Sequence, residues 1–409
     1  EEAIKEEVEE KAEEAAAVEE EAPEEEGEAT PVEEVKITFL SHTYEPWNNK
    51  LQEQTNAFME LNPNIEIEYS YFMHEDLFTK LLSSLEAGTG ADIMGVYGPW
   101  IPQLLEGGNL AEAPEDVIED IENNYGRFEL EAVTFNDKIY GYIQHIGIMV
   151  PVINPIFFQE LGEEMPQSWS DWAEIQDKYA DRDDIRIVAL SPDRPHIFIQ
   201  WSTVLRSFGV KTISDDLTHT TFNTTDGVEA TKAYVKMSDP SYPTAVGSEI
   251  FLLGKAGMIL DGPWAKTFCE ESEALEEYQT TIPPTEKERW LAAYVWNWVV
   301  NENSSPENKR AAWDFVKYLS NDENYLDLAQ TVGFAPIRNA HKEIMSEDPW
   351  IKGFVDSLDY SFIYYSEIDN WEEVEKLIAI ELERAVAGEI GVEEALANAE
   401  ESANNALAE

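Results

Sequence analysis

From Val35 onward the apolar and polar positions switch between two periods. Val35, Ile37 and Phe39 alternate with Lys36 and Thr38, which predicts a strand. Asn48 to Leu61 carries Leu51, Phe58 and Leu61 on one helical face and stops at Asn62-Pro63. Ile65, Ile67, Tyr69 and Tyr71 alternate again, as a second strand. Leu77, Phe78, Leu81, Leu82 and Leu85 line a second helix that ends at Gly88, and Ala91 to Tyr97 reads as a third strand. Strand, helix, strand, helix, strand predicts a parallel sheet flanked by helices, so the fold class is α/β. Later segments keep this grammar. Ser168 to Asp171 fits a capping box, and Ser305-Pro306 opens a helix whose buried stripe is Ala312, Phe315, Val316 and Leu319. The last 40 residues read as two helices broken at Gly388 to Gly391.

Charge changes the picture in two places. The chain of 409 residues has 27 basic and 84 acidic side chains, a net of −57, which disfavours nucleic acid and anionic lipid as partners. It leaves open a salty habitat or a cationic ligand. Residues 1–34 hold 17 Glu and two Lys, a net of −15, leaving −42 for the remaining 375 residues. So charged a segment has nothing to bury and is expected to be a disordered acidic tether. The lone Cys269 rules out an internal disulfide, and no run approaches the roughly 20 apolar residues that span a bilayer. Without an initiator Met or a secretory apolar stretch, residue 1 is expected to be a processed or trimmed start.

Catalytic and cofactor chemistry find no foothold. The six histidines at 42, 74, 145, 196, 219 and 341 form no paired metal-ligand spacing, so no metal is expected. Gly254-Lys255 is followed by Ala256 where a phosphate loop needs Ser or Thr. There is no nucleophile elbow and no dinucleotide glycine motif, and with 84 acids no carboxylate pair can be singled out. The expectation is a binding protein without cofactor.

Seven stretches, in order, resemble the family 1 extracellular solute-binding proteins, the maltose-binding-like group. They are Phe58–Glu68, Leu85–Ile93, Lys138–Gly141, Met165–Asp171, Phe251–Trp264, Ser305–Leu319 and Gly388–Leu396. Of these, FLLGKAGMILDGPW at 251–264 is the most specific. The chain departs at Val152–Phe157, VINPIF, where Asn154 and Phe157 keep the family pattern but a tyrosine and a lysine are missing. The resemblance implies a two-lobed periplasmic-binding-protein-like fold of type II. Lobe 1 would be 35–145 plus 265–330 and lobe 2 146–264 plus 331–409, with crossings near 145–148, 262–264 and 330–334. It further implies a monomer that closes on a small molecule by hinge motion and delivers it to the membrane subunits of an ABC transporter. The location would be extracytoplasmic (periplasm or outer face of the cell membrane), with lipid anchoring inferred only from the tail.

A neutral sugar needs aromatic faces for its C–H surfaces and a few polar groups for its hydroxyls. Tyr44, Glu45 and Trp47 follow the first strand, and Tyr97 and Trp100 the third, at the ends where such sheets gather ligands. Trp264 follows a hinge-like Gly-Pro, Trp296 alternates along a strand beside Trp298, and Trp371 opens a C-terminal helix. Trp201 completes the aromatic candidates, and Gln144, Asp261 and Arg338 are polar ones, Arg338 being equally readable as an ion-pair partner. Trp169, Trp172 and Trp313 lie on amphipathic helices and are expected in the core. A sugar receptor is the leading reading. A polyamine receptor on the same fold and a carbohydrate-active enzyme are the alternatives.

Overall fold

The computed structural model describes residues 34–408 apart from 44, 193, 195, 239–252, 264, 267–277, 365–367 and 369, and only the backbone of 45, 46, 74 and 75. The expected tether, but for Glu34, lies outside the described residues.

The first half runs β1 (Val35–His42), α1 (Glu45–Leu61), β2 (Ile65–Phe72), α2 (His74–Glu86), β3 (Ile93–Tyr97), a 3-10 turn (Gly98–Trp100), α3 (Ile101–Glu106), α4 (Glu115–Asn124) and α5 (Arg127–Val133). A short hairpin, β4 (Thr134–Phe135) and β5 (Lys138–Ile139), leads to β6 (Gly141–Ile148) and β7 (Val150–Ile153). Then come α6 (Pro155–Leu161), α7 (Trp169–Lys178), β8 (Arg186–Ala189), α8 (His196–Ser207), α9 (Thr225–Met237), β9 (Ala256–Asp261), β10 (Gln279–Thr280) and β11 (Leu291–Val300). The chain ends with α10 (Pro306–Leu319), α11 (Asp322–Val332), α12 (Asn339–Met345), α13 (Pro349–Ser357), β12 (Ser361–Ile363), α14 (Trp371–Val386) and α15 (Val392–Leu407).

Two sheets result. The larger has six strands in the order β12-β11-β3-β1-β2, with β6 also paired to β11. β1, β2 and β3 are parallel, as the alternation requires, and β11 runs antiparallel to both β3 and β6. The smaller sheet is β10-β7-β9-β8. β10 thus joins the small sheet and β12 the large one, so each sheet draws strands from both sides of the expected lobe boundaries. β6 and β9 are buried at every position and β11 at all but Tyr294, so Gln144, His145, Asp261 and Asn297 are buried along with their apolar neighbours.

Local chemistry sets the helix ends. Ser168 and Asp171 form the reciprocal capping box, and the Ser305 hydroxyl accepts the Asn308 N–H at 3.1 Å. Asn154, in the segment that departs from the family pattern, caps α6 by accepting the Phe157 N–H at 3.1 Å, with Pro155 at the first helical position. α14 and α15 are separated by Gly388, which takes φ 72°, a left-handed conformation that costs glycine nothing. Trp169, Trp172 and Trp313 are buried, as helix-borne core residues should be.

Candidate functional site

The C-terminal ends of β1 and β3 meet the middle of β11 and the second half of β6, and the residues placed there are aromatic. Period two along β11 puts Trp296 and Trp298 on one face, with Asn297 on the other. Trp296 stands opposite Tyr97 of β3 and His145 of β6. The β6 ladder then slips, because Asn297 pairs with Ile143 and not Gln144. Gln144 is the extra residue of this bulge, a device that bends a strand and re-aims a side chain. Its amide donates to Ser41 Oγ at 3.3 Å. Two glycines make the packing possible. A Cβ on Gly95 would come 2.5 Å from Ser41 Oγ and 3.1 Å from the Trp298 ring, and one on Gly147 would fall inside the Tyr294 ring, 2.0 Å from its Cζ.

The rings form one connected network. Trp47 stacks on Trp298 at 5.7 Å and touches Phe334 and His145 at 5.3 and 6.0 Å. His145 lies flat against Phe334 at 4.6 Å. His42 lies 4.1 Å from Trp296, which also meets Tyr97 and Trp100, each at 5.5 Å. Tyr97 continues to Tyr294 at 5.2 Å and, hydroxyl to hydroxyl at 2.5 Å, to Tyr364. Tyr364 touches Phe198, which touches Trp201 and Trp371.

Polar atoms interrupt this apolar surface. Trp47 Nε1, Gln144 Oε1 and His145 Nδ1 are buried and have no hydrogen-bond partner among the described residues. Burial, then the neighbouring His42, hold the His145 imidazole well below its ordinary pKa, so it is neutral. Leaving such groups without partners is costly, about 1–3 kcal/mol each, and others lie elsewhere, the Trp169 indole N–H and both His341 ring nitrogens among them.

The site residues expected from the sequence separate into three groups. Trp47, Tyr97, Trp100, Gln144 and Trp296 come together in this network. Trp201 and Trp371 belong to its far end, beyond Phe198, and the Trp201 N–H is already bonded to Thr231 Oγ1 at 2.9 Å. Asp261 ends β9, buried, with Oδ1 accepting the Gly262 N–H at 2.7 Å. Arg338 is elsewhere: its guanidinium grips Asp120 through two nitrogens at 2.9 and 3.0 Å and Asp322 at 2.6 Å, and also donates to the Ser320 carbonyl. That is the ion-pair alternative. Tyr44, the Glu45 side chain and Trp264 lie outside the described residues. The sequence reading passed over His42 and Tyr364 as site residues, and treated His145 and Phe334 only as parts of crossing segments. His42 was legible as the last residue of a strand whose C-terminal end faces the site. Nothing local marks Tyr364.

Comparison with known proteins places the chain. Residues 53–352 match the family model described as bacterial extracellular solute-binding protein. A maltotriose-binding protein of Pyrococcus abyssi is 23% identical over 325 residues, 76% of this chain and 69% of its own. Among solved structures, maltose-bound MalE3 of T. maritima superposes with a TM-score of 0.79 at 20% identity, covering 91% of this chain and all of that one. An ABC substrate-binding protein of Listeria monocytogenes in complex with cycloalternan gives 0.77 at 20% identity over 92% of this chain and all of that one. The fold is therefore the two-lobed α/β fold of the periplasmic sugar-binding proteins of type II.

Proposed function

The chain belongs to the bacterial extracellular solute-binding protein family, and from that premise we propose that it is the extracytoplasmic receptor of an ABC importer that closes on a neutral sugar or oligosaccharide. The observation that carries the reading is the aromatic network with three buried polar atoms awaiting partners. Ring faces suit the C–H surface of a pyranose, and an indole N–H, an amide oxygen and a neutral imidazole suit hydroxyls. The relatives point the same way, since the proteins compared are named for maltotriose or hold maltose or cycloalternan.

The lobes in this reading are organised by the two sheets, with the chain crossing where β6 gives way to β7, after β9, and near Phe334. Ligand contacts with both lobes stabilise the closed state. Transporter membrane subunits are the partner that reads closure. The acidic segment 1–34 would act as the tether, whether or not a lipid precedes it. No helix among the described residues is long and apolar enough to cross a membrane.

A cationic ligand would require carboxylates against the aromatic faces. Among the described residues the carboxylates near the rings include Asp261, beside Tyr294, and Glu375, near Tyr364 and held largely protonated by burial. Intrinsic tryptophan fluorescence of the full chain, titrated with maltose, maltotriose and cyclic maltosides against spermidine at low and high salt, tests the assignment. A saturable, salt-indifferent response to one sugar class is expected. A response to spermidine alone, fading as salt rises, would overturn it.

A further inference from the structure

The three polar atoms of the proposed site are out of reach as the rings stand. Trp47 Nε1, Gln144 Oε1 and His145 Nδ1 are all buried, and the whole Trp47 and Gln144 side chains are buried with them. A sugar hydroxyl therefore meets them only after a neighbouring group has moved. Rings close the way in. Trp298 is stacked on the Trp47 indole at 5.7 Å. Phe334 leans on the same indole at 5.3 Å and lies 4.6 Å from the His145 imidazole, with 17° between the planes.

Among the described residues, the rings that touch Trp47 or His145 stand on regular elements with one exception. Trp296 and Trp298 are on β11, and His42 ends β1. Phe334 belongs to no strand or helix. It follows Gly333, which ends α11 with φ 78°. The backbone there is fixed all the same: the Gly333 and Phe334 N–H groups both donate to the Ala329 carbonyl, at 2.8 and 2.9 Å, and the Ala335 carbonyl accepts the Tyr325 hydroxyl at 3.0 Å. What can move at this position is the Phe334 side chain, about its own torsions.

We propose that Phe334 is a displaceable cover: its ring takes the place against Trp47 and His145 that the apolar face of a sugar residue takes on binding, and it swings aside to admit that residue. The proposal rests on the sugar reading for its ligand. A phenyl ring and the C–H face of a pyranose offer an indole similar flat apolar surfaces, but the phenyl has nothing to give an N–H, an amide oxygen or a ring nitrogen. The cover thus keeps water off the rings and leaves the polar atoms unpaired, whereas a sugar satisfies both. An apolar ligand without hydroxyls at its edge gains nothing by the exchange, so the cover also sharpens selectivity. Apparent affinity falls in proportion to the fraction of time the ring is aside, so a ring aside about one-tenth of the time weakens binding about tenfold.

Phe334→Ala removes the cover, and Phe334→Leu, which keeps most of the apolar volume, shrinks it. Deuterium exchange of the indole hydrogens of the full chain, followed in nitrogen-15 spectra, tests the cover without any ligand. The Trp47 indole should exchange about tenfold faster in Phe334→Ala than in the wild type, and faster in Phe334→Leu too. The Trp169 indole, buried on α7 and likewise without a partner, should exchange at the wild-type rate in Phe334→Leu. Maltotriose followed by stopped-flow tryptophan fluorescence should bind Phe334→Ala about tenfold more tightly and Phe334→Leu about threefold, the gain lying in the association rate. Weaker or unchanged binding in both variants would overturn the cover, weaker binding by making the ring a platform for the sugar. Equal acceleration of the Trp47 and Trp169 indoles in Phe334→Leu would overturn it as well, since the effect would then be one of stability. If Trp47 alone exchanges faster while maltotriose binds no form of the chain, the cover stands and the sugar assignment falls.

Discussion

Two buried polar regions of this molecule look alike in composition and behave in opposite ways. In the first, Arg338 is clasped by Asp120 and Asp322, Tyr142 adds its hydroxyl to Asp120 at 2.9 Å, and the Ser320 carbonyl takes another guanidinium hydrogen. Burial pushes the Asp120 carboxyl up, and the hydrogen bonds from Arg338 and Tyr142 more than reverse it, leaving it below its ordinary value. In the second, Trp47, Gln144 and His145 bury an N–H, an amide oxygen and a ring nitrogen that no described residue meets. A buried polar group that has its partners is part of the framework. One that lacks them is open to a ligand, and the contrast is between the Arg338 guanidinium and these three atoms, since the Ser320 hydroxyl and the His341 ring beside Arg338 lack partners too.

Breaking the first region should have the largest effect. Arg338→Met keeps the aliphatic length but strands the half-buried Asp120, Asp322 being exposed to water, and should lower the unfolding free energy by about 3 kcal/mol in urea melts while changing maltotriose affinity by less than about twofold. In the second region, Trp47→Phe removes the unpartnered N–H and part of the face stacked on Trp298. Maltotriose should then bind about tenfold more weakly, about 1.4 kcal/mol by calorimetry.

A matched pair sharpens the comparison further. Tyr142→Phe removes a hydroxyl that has a partner and should cost about 1 kcal/mol of stability with no effect on binding. Gln144→Leu removes an amide oxygen that has none, together with the long 3.3 Å bond to Ser41, and should leave stability within about 0.5 kcal/mol while weakening maltotriose about fivefold. Equal losses of stability in the two variants would erase the distinction.

A separate effect concerns pH. Glu375, with its carboxyl at about 8, holds a proton in the folded state that the unfolded chain has already lost above the ordinary glutamate range. Stability from this group is therefore complete in acid and declines as pH rises toward 8. Glu375→Gln should flatten that decline, and its melting temperature should exceed the wild type's by a widening margin between pH 5 and 8, read by calorimetric scans.

Much of the fold was legible because it is local. The alternation from Val35 to Tyr71, the Ser168–Asp171 box and the Ser305-Pro306 start depend on residues a few positions apart, and each forms where the pattern puts it. The aromatic half of the site was legible in part. The sheet rule placed Trp47, Tyr97 and Trp100 at strand ends, and the alternation of Trp296 with its neighbours placed it on one face. The polar half was not. The partner of Arg338 is Asp120, 218 positions away, and nothing in the sequence chooses it from 84 acids. His145 gained its place from the bulge beside it and from Phe334, both products of long-range packing.

The difference between the two regions can be read in one experiment. A nitrogen-15 correlation spectrum of the full chain, recorded with and without saturating maltotriose, reports the Trp47 indole N–H and the Arg338 Nε–H side by side. The Trp47 resonance should shift strongly as its hydrogen gains an acceptor, while that of Arg338, already bonded to Asp322, should stay in place. A shift at Arg338 with Trp47 unmoved would contradict the assignment of site and scaffold.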